Sequence, residues 1–152
     1  MRRLLIPLVI ALLLPLAGAS AQRSGYHVVD TPHDFPTLEK RVRAAVEGNG
    51  LYVVTRASAS DGARGRGITI PGDAVYGVFR NDFALRMLKA SPDAGIEAPL
   101  RLHLVEEAGG GTSIRWYDAA AVFAPYQGEG LQALSAELDA LLTKIVADAA
   151  AP

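Results

Sequence analysis

Cysteine is absent from all 152 residues. That excludes a disulfide framework, a thiol nucleophile, a cysteine-ligated metal and a lipid-anchored cysteine behind an export leader. Charge of either sign is not in excess: 15 Lys and Arg stand against 16 Asp and Glu, a formal net charge of −1. Nothing in that balance marks a nucleic-acid binder or a protein drawn to an anionic membrane. Histidine is scarce. His27, His33 and His103 show no HxH or HxxxH spacing, and zinc needs three or four convergent ligands, so neither metal nor cofactor is expected. Phosphate loops are missing too: the glycines at 109–111 and 62–67 lack a following Lys-Ser/Thr. No internal repeat recurs at solenoid periods.

What is there begins with a leader. Arg2 and Arg3 precede an apolar stretch at 4–16, and Ala19-Ser20-Ala21 fits the small-x-small cleavage rule. An uncleaved anchor is the alternative, but the stretch is short for a span of ~20 residues and holds Pro7 and Pro15. Residues 1–21 are therefore expected to be a signal peptide and 22–152 a single domain, periplasmic or secreted from a bacterium, with no membrane contact after cleavage. About 130 residues suffice for one ordinary core.

The domain is organised around residues 75–104. Residues 75–79 are β-branched and aromatic, a strand with Gly77 marking a bulge or a close backbone approach. Asn81 is placed to cap a short helix carrying Phe83, Ala84, Met87 and Leu88, which Ser91-Pro92 ends. Leu100, Leu102 and Leu104 then alternate with Arg101, His103 and Val105, a period of two. Before this stretch come a strand at 26–30, a helix capped by Asp34 with its stripe at Leu38, Val42, Ala45 and Val46, a Gly48-Asn49-Gly50 stop, and a strand at 51–56. Residues 57–72 read as a long functional or mobile loop. After it come a glycine-rich hairpin at 108–111, a strand at 112–117, a short helical piece stopped at Pro125, and a last helix whose apolar face runs from Leu131 to Val146. A mainly antiparallel five-stranded sheet gripped by a long C-terminal helix follows, an α+β domain.

With these elements in place the chain resembles the domain-of-unknown-function family 302. The resemblance covers about residues 26–147. It rests on the 38–50 helix with its glycine stop, the strand-turn at 75–81, Ala98-Pro99-Leu100-Arg101 opening a strand, and Trp116-Tyr117-Asp118. The family's turn is commonly Gly-Asn-Pro, where this chain has Arg80-Asn81-Asp82. Many members carry Leu-Pro-Cys where Ala98-Pro99-Leu100 stands here, and a His where Arg56-Ala57-Ser58 stands. The resemblance implies a β-α-β-β-β-β-α fold of the TATA-binding-protein-like type, often a homodimer, and no established activity.

Five side chains are candidates for a ligand site: Arg80, Asn81, Arg101, His103 and Tyr117. Asn81 opens a helix, where it caps or where free N–H groups receive an anion, though Asp82 already occupies the dipole end. Arg101 and His103 share a strand face, and Arg115 and Tyr117 join them if the 112–117 strand pairs alongside. That face is either a polar pocket or simply wet. Glu106 and Glu107 read as a solvated hairpin shoulder. Three functions stay open: a small-ligand-binding or accessory domain for an apolar or anionic ligand, a structural or interaction module of the envelope, and, behind both, an enzyme using His103. No nucleophile–base motif supports a catalytic set.

Overall fold

The computed structural model describes residues 24–152. The expected leader lies outside the described residues, and among the described residues no helix is long and apolar enough to cross a membrane. Five strands form one sheet: β1 (Tyr26–Thr31), β2 (Tyr52–Ser58), β3 (Asp73–Phe79), β4 (Leu100–Glu106) and β5 (Thr112–Tyr117). Their spatial order is β1-β5-β4-β3-β2, and every neighbouring pair is antiparallel. Helices α1 (Phe35–Gly48), α2 (Ala59–Arg64), α3 (Asn81–Ala90), α4 (Ala119–Phe123) and α5 (Leu131–Ala150) complete the domain.

The alternation in β3, β4 and β5 decides the layers. Ala74, Tyr76, Val78, Leu100, Leu102, Leu104, Ile114 and Trp116 point to one face and are buried. Helix α1 lays Leu38, Val42 and Val46 on that face, and α5 adds Leu134, Leu142 and Ile145. The opposite face carries Arg101, His103 and Arg115 and has water beside it, as a two-layer antiparallel sheet permits. Helix α1 starts as its sequence demands: the Asp34 carboxylate accepts the Thr37 N–H at 2.7 Å. It ends at Asn49, and Gly50 turns the chain at φ 76°, a left-handed conformation open to glycine.

Three expectations need correction. Asn81 does not cap α3. Arg80 takes that position in an extended conformation with no side-chain cap bond, and Asn81 is the exposed first helical residue. The Arg80 guanidinium lies 3.9 Å from the Phe83 ring centre and pairs with Asp82 at 2.6 Å, which fixes the helix start one residue earlier. Leu88 is largely exposed, because α3 buries only Phe83, Ala84 and Met87. The 57–72 segment is not all loop: β2 runs on to Ser58, whose hydroxyl accepts the Asp61 N–H and starts α2. Between α3 and β4 the chain makes a 3-10 turn at Pro92–Glu97.

Helix α5 is pinned at its far end by α1. Arg41 donates from Nε to the Ala149 carbonyl at 2.7 Å and from Nη2 to the Ala151 carbonyl at 2.6 Å. His33 Nε2 lies 2.8 Å from the same Ala151 oxygen. These are carbonyls that a helix end leaves without partners. Replacing Arg41 by Ala is expected to lower stability by about 1.5 kcal/mol, the scale of hydrogen bonds from a charged donor. Faster amide exchange confined to the last turn of α5 would accompany it. Unchanged stability and exchange would show that the clamp does not hold the helix.

Candidate functional site

The two sequence marks at 79–81 and 98–100 come together in space. Strand β3 ends where β4 begins, and α3 folds back over that end of the sheet. Between them lies an apolar slot of about 30 Å3, or about 380 Å3 with its open mouth counted. Val78 and Leu100 form its floor, Phe83, Ala84 and Met87 of α3 one wall, and Phe123 and Leu138 the far wall. Pro99 and Arg80 stand at the mouth. Charge at that mouth is already neutral: Asp82 accepts from Arg80 Nε at 2.6 Å and from Nη2 at 3.0 Å. The guanidinium pulls the Asp82 carboxyl below its usual range. The slot therefore suits an uncharged apolar group, of a size between one water and a short alkyl chain.

The five candidate residues divide between two places. Arg80 borders the slot, while Asn81, the exposed first residue of α3, is not among its lining residues. Arg101, His103 and Tyr117 lie on the open sheet face, on the other side of β4. The expected β4–β5 pairing is present, with His103 directly opposite Arg115. One rung crosses all five strands: Ala57, Val75, His103, Arg115 and Val28. His103 Nε2 lies 3.0 Å from Asp73 Oδ2, both about a third exposed. Arg115 donates from Nη2 to Glu107 at 2.6 Å, and Ser113 donates to the same carboxylate oxygen. Arg101 reaches Glu97 at 3.5 Å, and Tyr126 donates its hydroxyl to that same Glu97 at 2.9 Å. Glu106 is not a free shoulder either: its Oε2 accepts the Gly72 N–H at 2.6 Å. The face is a mesh of satisfied polar pairs.

Sequence reading missed a second cluster, between α1, α2 and the inner face of β2–β3. Tyr76 is fully buried, and its hydroxyl donates to Glu39 Oε1 at 2.5 Å. Burial, and then that carboxylate, push the phenol above its ordinary range, so it stays the donor. Arg56 donates from Nε to Glu39 at 2.9 Å and to the Tyr76 oxygen at 3.0 Å, and from Nη1 to Asp61 at 2.6 Å. Arg64 also donates to Asp61, at 2.7 Å. A signal for this cluster was present: Tyr76 sits in an inward alternation with Ala74 and Val78, and a buried tyrosine hydroxyl usually has a partner. Among the described residues no group of three His, Asp or Glu is placed to hold a metal ion.

Several carboxylates are held below their usual range by fixed donors. Asp34 is lowered by Thr37, Asp61 by Arg56 and Arg64, Glu107 by Ser113 and Arg115, and Asp148 by Lys144 and Asn49. A carboxylate with a depressed folded pKa contributes stability above its unfolded value and loses it as pH falls through the folded one. The urea midpoint is expected to hold above about pH 5 and to fall steadily below about pH 4. An acid midpoint equal to the neutral one would contradict these pairings.

The family model described as "Domain of unknown function DUF302" matches residues 27–149. A solved structure, the uncharacterized conserved protein DUF302 from Bacillus stearothermophilus, superposes with a TM-score of 0.74 at 16% sequence identity. The match covers 83% of this chain and 98% of that one. At that identity the likeness speaks for the fold. No curated protein matches the chain.

Proposed function

The chain belongs to the DUF302 family, a domain of unknown function, and from that premise we propose that it is a small-ligand-binding domain of the bacterial envelope, periplasmic or secreted after cleavage of residues 1–21. Its ligand is small, apolar and uncharged at the end that enters the protein. One observation carries this: the apolar slot is bordered by both stretches that mark the family resemblance, Phe79 and Arg80 on one side and Ala98-Pro99-Leu100 on the other. Binding sites of this kind are mostly apolar walls with few polar groups at the rim. Arg80 supplies that rim, and the slot departs from an ion site because Asp82 already satisfies Arg80.

Gentle isolation of the protein from its own host's envelope fraction, followed by native mass spectrometry, tests both parts. The expected mass is that of a chain beginning at Gln22, with a released uncharged small molecule. A chain retaining the leader contradicts the location.

A second reading rests on the open sheet face. Val28 and Tyr52 project there at 44% and 64% exposure, near the two edges of the sheet. Exposed apolar side chains on an uncovered sheet suit a protein interaction, including pairing with a second copy of the chain. Light scattering separates the cases: a concentration-independent dimer, lost on replacing Tyr52 by Lys, favours this reading. His103 with Asp73 is a titratable pair on that same face, and the Ser113 hydroxyl there is already bonded to Glu107 and Arg115.

A further inference from the structure

The groove over the missed cluster has a charge pattern of its own. It is an open groove of about 550 Å3 between α1 and the β2–α2 corner, within the size range of small-molecule sites. Phe35, 8% exposed, lies at its base, with the fully buried Tyr76 beneath. Four cations face it, Lys40, Arg43, Arg56 and Arg64, against two carboxylates, Glu39 and Asp61. Those carboxylates are spent. Glu39 accepts from Arg56 and Tyr76, and Asp61 accepts from Arg56 and Arg64. Lys40 and Arg43 have no ion-pair partner among the described residues.

Arg43 is nonetheless not adrift. Its guanidinium carbon sits 5.0 Å from the Tyr76 ring centre, a cation–π distance. A guanidinium held over a ring keeps its in-plane N–H donors for another partner, in the fork that matches a carboxylate or phosphate. Lys40 stands three residues earlier on α1, on the same side of the helix. A ligand satisfying both presents an oxyanion to Lys40 and Arg43 and an apolar or planar body to Phe35.

We propose that this groove is a second ligand site, for a small organic oxyanion, a carboxylate or phosphate ester with an apolar body. It does not depend on the slot, and the two sites report through different residues. The Tyr76–Glu39–Arg56 network is the positioning layer: it consumes the local negative charge and holds Tyr76 beneath the groove.

The test is a heteronuclear NMR titration of the 22–152 chain with benzoate, inorganic phosphate and uncharged benzyl alcohol. The double variant Lys40→Gln/Arg43→Gln is run beside the parent; both side chains are exposed and neither has an ion-pair partner among the described residues, so its spectrum should match outside the neighbourhood of the Tyr76 ring that Arg43 covers. Saturable shifts at Phe35, Arg43 and Arg56 amides with benzoate or phosphate are expected. They should weaken with added salt and lose at least about ten-fold in affinity in the double variant, the scale of one charge-assisted contact. Whichever anion binds tighter identifies the head group. Equal binding of benzyl alcohol, unaltered binding by the double variant, or no saturable shift in this groove would each overturn the proposal.

Discussion

Replacing Gly77 by valine is expected to destabilise the domain by about 3 kcal/mol, at the upper end of overpacking costs. Gly77 sits in β3 opposite Thr55 of β2 and Arg101 of β4. A β-carbon built there would overlap Thr55 Oγ1 and lie 2.6 Å from Pro99 Cγ. Neither neighbour can give way cheaply. Thr55 follows the register shift between Val53 and Thr55, which fixes where its side chain falls. Pro99 is a ring with no freedom at φ and leads directly into β4. Valine adds two further carbons to the same space. The strands must part at the centre of the sheet, and the slot at the end of β3 and β4 opens with them. Urea unfolding checks this through a lowered midpoint at unchanged slope. A variant within about 0.5 kcal/mol of the parent, the level of an ordinary surface change, would mean that Thr55 and Pro99 do not close over this glycine.

Leu138→Ala is the second large effect, and it joins stability to binding. Leu138 is 6% exposed on the buried side of α5 and lines the slot. Truncating it removes apolar contacts and leaves space behind, at about 3 kcal/mol for a buried leucine. The space created is continuous with the slot, so the variant should take a longer alkyl group than the parent does. Hexanol is expected to raise the unfolding midpoint of Leu138→Ala more than butanol does, by the ordinary linkage between binding and stability. The parent should show the reverse preference. If the variant is destabilised but hexanol and butanol act on it alike, the far wall of the slot has collapsed and the slot is a packing defect.

The sheet was legible because its signals are local. Leu100, Leu102 and Leu104 against Arg101 and His103 state a period of two within one strand, and the glycines at 109–111 state the hairpin that places β5 alongside. Asp34 and the 38, 42, 45, 46 stripe likewise settle α1 without reference to the rest of the chain. Asn81 misled because a cap is decided by a shift of one residue, and the deciding contacts, Arg80 on Phe83 and on Asp82, are side-chain choices. Helix α2 has six residues, too few for any periodicity, and its only mark is Ser58 ahead of it. The candidate sites were legible in halves. Arg80-Asn81 and Ala98-Pro99-Leu100 each stood out, but nothing in either stretch says that Arg80 and the 98–100 segment border common space. Arg56, Glu39 and Tyr76 come from three elements, up to 37 residues apart, and meet only once α1 crosses the sheet.

The most direct test of the central claim, that the slot beside Arg80 receives an uncharged apolar group, is a heteronuclear NMR titration of the 22–152 chain with butanol. The account predicts saturable shifts concentrated at the amides of Val78, Phe83, Ala84 and Leu100, with the open-face amides of His103 and Arg115 unmoved. Shifts that never saturate, or that spread evenly over the exposed surface, would contradict it.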